Sequence, residues 1–127
     1  MPDRGVARDP FGENDSLVDR GALEEPLDAD DYEGYRWLRD RSPVPIASGE
    51  EECGRQAFRP LIDGRCLDIY QVDLSRNGFT DSAYIRQRVE EIGARLCNHC
   101  YTSPVTVAAS ASAGLKPAAI RDARAVD

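Results

Sequence analysis

Lysine is almost missing: Lys116 is the single one among 16 basic residues in a 127-residue chain of net charge −7. A surface that binds phosphates needs clustered Lys and Arg, whereas here the arginines are scattered among acids, so a nucleic-acid partner is not expected. No run of about 18 apolar residues occurs, and the opening "MPDRGVARDP" lacks the apolar stretch of a signal peptide, so no membrane partner is expected and the expected location is the cytoplasm. Histidine has one representative, His99. The four cysteines, Cys53, Cys66, Cys97 and Cys100, carry no sign of an oxidising compartment and are expected as free thiols.

What is present divides the chain into three. Residues 1–21 are polar, with Pro and Gly and no periodicity, and read as a loose arm. Residues 114–127 read as a tail with little to bury, and neither end looks like a site. Between them lie four strand-then-helix units. "GALEEPL" precedes "DDYEGYRWLRDR", where Tyr32, Tyr35, Trp37 and Leu38 are spaced for an amphipathic helix capped by Asp31. "PVPIASGE" precedes "CGRQAFRPLIDG", with Ala57, Phe58, Leu61 and Ile62 at helical spacing and Pro60 expected at a kink or a first turn. "CLDIYQVD" leads through a turn "LSRNG" to a helix capped by Thr80 and stopped by Gly93, and "ARLCNH" precedes "SPVTVAASASAG". Repeated strand–helix units imply parallel strands joined by crossovers, so the class is α/β.

Each of these strands ends in an ionisable side chain: Glu24 and Glu25, then Glu50, Asp73 and His99. The steps from Glu24 through Glu50 and Asp73 to His99 are 26, 23 and 26 residues. One such residue per unit at this period is the pattern of a (β/α)8 barrel, whose site is assembled at the C-terminal ends of its strands. A whole barrel needs about 250 residues, so four units amount to half of one.

"ALEEPLDADDYEGYRWL", "PVPIASGE", "LDIYQVDLSRNGFT" and "CNHCYTS", in this order and spacing over residues 22–113, resemble the barrel domain of the enolase superfamily, in its mandelate racemase and acid-sugar dehydratase branch. The resemblance implies a partial TIM-type barrel, strands four to seven of eight. It implies Mg2+ held by carboxylates, with Glu24 and Glu50 in the fourth- and fifth-strand ligand positions. It also implies a pair formed by Asp73 on the sixth strand and His99 on the seventh, in which the aspartate orients the imidazole and His99 acts as general base, or as the acid that helps expel a hydroxyl. The substrate would be a small sugar acid or hydroxy acid.

Taken singly, these residues read more plainly. Glu50 opens a run of three glutamates that suits a solvated loop, Asp73 suits a helix cap, and a lone histidine is more often structural. The shared spacing favours the functional reading. Glu25 is expected behind the ligands or against an arginine, and Glu51 and Glu52 in solvent. Cys97-Asn98-His99-Cys100 has the gap of a zinc or redox pair, but no second pair is suitably spaced and no helix start follows, so both thiols read as small packing groups. The family's capping domain, second-strand lysine motif, third-strand aspartate and late acidic residue have no match, and Asn77 stands where the family favours glycine. Two functions follow from different classes: a portion of an Mg2+-dependent dehydratase or racemase, incomplete alone and prone to self-association or to pairing with a missing half-barrel, and a non-catalytic α/β module that binds a partner or a metal ion.

Overall fold

The computed structural model describes residues 21–100 and 103–112, so the expected arm and tail lie almost wholly outside the described residues. Four strands alternate with four helices: β1 (Leu23–Glu24), α1 (Tyr32–Arg41), β2 (Ile46–Ser48), α2 (Arg55–Asp63), β3 (Ile69–Asp73), α3 (Leu74–Glu91), β4 (Arg95–His99) and α4 (Pro104–Ser112). The strands pair in parallel in sequence order, β1-β2-β3-β4. This is the α/β arrangement that the sequence predicts, a segment of a TIM-type barrel. Among the described residues no helix is long and apolar enough to cross a membrane.

The core lies between sheet and helices. Strand alternation sends Ile46, Tyr70 and Val72 toward the helices, where they meet Tyr35, Phe58, Leu61, Ile62, Ile85 and Val89, all fully or almost fully buried. Each large side chain so buried contributes about 1.5–3 kcal/mol relative to exposure. Tyr70 keeps its hydroxyl satisfied by donating to the Leu61 carbonyl at 2.9 Å.

Local signals account for the helix ends. Asp31 caps α1 by accepting from the Gly34 amide at 2.9 Å. Trp37 departs from the expected buried face: it is 58% exposed and lies under the Arg41 guanidinium at 4.4 Å. Pro60 lies in the second turn of α2, beyond the first-turn positions where its missing N–H is harmless. The segment "LSRNG" is not a plain turn. It is a short helical turn capped by Asp73, and the non-helical Gly78 (φ 67°, ψ 174°) separates it from the longer helix expected to follow, which starts directly after Gly78 rather than at a Thr80 cap. Gly93 ends α3 at φ 70°, as expected of a glycine stop.

The end of the sheet where the strands begin is locked by Asp68. Its two oxygens accept from Arg39 Nε at 2.9 Å and from the Ile46 amide at 3.0 Å, tying α1, β2 and β3 together. That leaves the opposite end, where the strands finish, for the remaining ionisable groups.

Candidate active site

The sheet register sets the site. Glu24 pairs with Ala47, which pairs with Ile69, while Gln71 pairs with Cys97 and Asp73 with His99. Period-two alternation therefore places Glu24, Gln71, Asp73, Cys97 and His99 on one face, away from the helices. Glu50 lies just past the end of β2, beyond Gly49. Gly49 has φ 119°, and a Cβ there would stand 2.7 Å from the Gln71 carbonyl oxygen, so only glycine lets the chain turn this close to β3.

Asp73 is 2% exposed and uses both oxygens. Oδ1 accepts from the Ser75 amide at 2.8 Å and the Ser75 hydroxyl at 2.5 Å, and Oδ2 lies 3.0 Å from His99 Nδ1. Burial alone would push this carboxyl up, but the hydrogen bonds from Ser75 and His99 together outweigh it and hold Asp73 below the usual carboxylate range. One carboxylate thus caps a helix and contacts an imidazole.

The other ring nitrogen, His99 Nε2, lies 3.1 Å from Glu50 Oε2, with both side chains about one-quarter exposed. A neutral imidazole can donate to only one of its two carboxylate neighbours; satisfying both takes a second proton, on the ring or on Glu50. Burial first, then the carboxylates of Glu25, Glu24 and Glu51, hold Glu50 above its usual range, against the pull of His99.

Glu24 accepts a hydrogen bond from Gln71 Nε2, which reaches across β2. Glu25, at the uncommon φ of 46°, turns to the other side: its Oε1 accepts from the Ser48 hydroxyl at 2.7 Å and the Gly49 amide at 3.2 Å, bracing the end of β2 that carries Glu50. Of the two places expected for Glu25, behind the ligand positions or against an arginine, these hydrogen bonds correspond to the first. Glu52 is half-buried rather than solvated. Asn77 is a departure of a different kind from the one expected, because Gly78 and not Asn77 takes the positive φ. Asn77 is instead buried, donating to the Asp73 carbonyl at 2.8 Å and accepting from the Gly54 amide at 2.7 Å.

The structure thus brings Glu50, Asp73 and His99 into direct contact and sets Glu24 on the same face, within electrostatic range of Glu50. Among the described residues no three His, Cys, Asp or Glu side chains converge as a metal cage would. Cys97 lies on the site's face, whereas Cys100 Sγ lies 3.8 Å from the Ser110 hydroxyl of α4, and all four cysteines are free thiols. The sequence reading missed Gln71 and Ser75. Gln71 was within reach, since it lies two residues before Asp73 and so on the same strand face.

Comparison with known proteins gives this geometry its context. A family described as "Enolase C-terminal domain-like" matches residues 16–126. A D-galactonate dehydratase of Cronobacter sakazakii is 35% identical over 88 residues, which cover 68% of this chain and 23% of that enzyme. A D-galactonate dehydratase of Ralstonia nicotianae is 34% identical over the same shares of the two chains. The crystal structure of a 3,6-anhydro-D-galactonate cycloisomerase from Zobellia galactanivorans superposes with a TM-score of 0.67 at 32% identity, covering 74% of this chain and 28% of that one. This chain spans about a quarter of the length of each.

Proposed function

The chain belongs to the enolase C-terminal domain-like family, and from that premise we propose that it carries one half of a site that removes the proton beside the carboxylate of a sugar acid or hydroxy acid. The observation that carries the proposal is His99 held between Asp73 and Glu50 at the ends of neighbouring parallel strands. Asp73, kept ionised by Ser75, holds the Nδ1 proton and so aims Nε2 into the site. With Glu50, its neighbour at 3.1 Å, turned to a cation, Nε2 would be left to take the proton from the carbon next to the substrate carboxylate. In a dehydration the same nitrogen, now protonated, returns it to the departing hydroxyl, which leaves as water; in an epimerisation an acid on the complementary strands would deliver a proton to the opposite face of the carbon while His99 keeps the one it took. Both outcomes share the first step.

The donor set fits a weakly held Mg2+. Glu24 and Glu50 offer hard oxygens on one sheet edge, and the mutual repulsion that helps raise Glu50 is what a divalent cation relieves. Mg2+ keeps several waters, so two carboxylates suffice for a loose site. Bound there, the cation would supply positive charge opposite a substrate carboxylate and so lower the cost of the negative charge that proton removal leaves.

We propose further that this activity needs the complementary strands. Among the described residues β1 and β4 are sheet edges, and unpaired edges recruit other strands. Alone, the chain is expected to be inactive and to self-associate. The test is a chimaera of the Cronobacter sakazakii D-galactonate dehydratase in which this chain replaces the matched 88 residues. Turnover of D-galactonate with Mg2+, lost on His99→Asn, supports the proposal. A folded chimaera whose turnover survives His99→Asn contradicts it.

A further inference from the structure

Gln71 occupies the middle of β3 on the face that carries Glu24 and His99, and it is 7% exposed. A carboxamide has two N–H donors and an oxygen that accepts. The nitrogen is used: Nε2 donates to Glu24 Oε1 across the width of β2. The reach depends on the small residues that β2 and its following turn place between them, Ala47 and Gly49. The oxygen is not used. Gln71 Oε1 is buried and has no hydrogen-bond partner. An apolar side chain of the same volume would avoid that cost and would leave Glu24 untethered.

We infer that Gln71 is a positioning residue for the cation site: its Nε2 holds Glu24 at the site's edge, a tether kept at the cost of a buried, unpartnered Oε1. The inference rests on the proposed Mg2+ reading and extends it to a residue two strands away from the carboxylate it orients. A side chain that fixes a ligand acts on affinity without touching the metal, and loss of such a partner typically weakens binding by about 10- to 100-fold. An amide serves here better than a carboxylate, since a third charge beside Glu24 and Glu50 would add repulsion in the metal-free chain.

Two measurements on the full chain, compared among wild type, Gln71→Leu and Glu50→Gln, test this. The first is calorimetric titration with Mg2+. The second is the rise in melting temperature that saturating Mg2+ produces, which follows affinity for the folded state. Wild type is expected to bind weakly, Glu50→Gln not at all, and Gln71→Leu about tenfold or more weaker than wild type with its Mg2+-dependent rise in melting temperature shrunken. A residue needed only for packing would lower the melting temperature equally with and without Mg2+. Should Gln71→Leu fail to fold, Gln71→Asn, which keeps the amide but is one methylene too short to bridge, carries the same comparison and the same expectation. Wild-type affinity in the Gln71 variants, with binding lost in Glu50→Gln, overturns the inference and leaves the metal reading standing. No binding by wild type overturns both.

Discussion

Asp73 holds two jobs in one side chain, and substitution separates them. Asp73→Ala removes the α3 cap and the partner of His99 together, and is expected to cost about 2 kcal/mol in urea denaturation. Asp73→Asn keeps a competent cap and loses only the charge that His99 faces, so its cost is expected to stay under about 1 kcal/mol. Equal losses would mean that the cap contributes nothing. Acid titration reads the same group from the other side. Asp73 and Asp81 sit below their usual 3.8, so the stability they contribute is present above that pH and is lost as pH falls through their folded values. Glu50 and Glu52 sit above their usual 4.5, both chiefly through burial, so the folded state binds their protons more tightly and stability rises as pH falls from neutral toward 4.5. The urea midpoint is therefore expected to peak in mildly acidic buffer and to fall on both sides. A monotonic decline from neutral pH downward would contradict the raised glutamates.

At the scale of elements, the path of the chain after β2 is the sensitive point, because it places Glu50 beside His99. Gly49→Ala puts a Cβ 2.7 Å from the Gln71 carbonyl oxygen at a φ of 119°, and is expected to destabilise by about 2 kcal/mol or more in urea denaturation. Gly78→Ala meets open space, but φ 67° with ψ 174° is a backbone that essentially only glycine adopts, so about 1–3 kcal/mol is expected there as well. A loss at Gly49→Ala under about 1 kcal/mol would show that β2 and β3 can separate. Pro60→Ala restores a missing hydrogen bond in the second turn of α2 and is expected to stabilise by about 1 kcal/mol or more. The four strands, their parallel order and the ionisable residues at their ends were legible because hydrophobic runs, caps and glycine stops repeat with the period of a βα unit. Contacts were less so. Trp37 fits the helical stripe in sequence, yet α1 presents it to solvent, because periodicity marks a face without saying how wide the covered part is. The sequence places the cap of the longer helix of α3 at Thr80, because threonine is the stronger capping signal, whereas that helix starts directly after Gly78. The Gln71 bridge depends on two residues 47 apart that meet only across a third strand.

At the scale of the molecule, one end of the sheet is locked by Asp68 and the other gathers Glu50, Asp73 and His99, at the end where barrel enzymes place their chemistry. The inner face and two strand edges are those of a barrel segment, so the isolated chain is expected to elute as concentration-dependent oligomers in light-scattering chromatography; a monodisperse monomer across that range would contradict the open-edge account. Dehydration and epimerisation share the removal of one proton, so the most direct measurement follows that proton. In D2O with Mg2+ and D-galactonate, the chimaera built on the Cronobacter sakazakii enzyme is predicted to replace the hydrogen beside the substrate carboxylate with deuterium, in recovered substrate or in product, as seen by proton NMR, and His99→Asn is predicted to abolish the exchange. Exchange that persists at the parental rate in a folded His99→Asn chimaera would contradict the account.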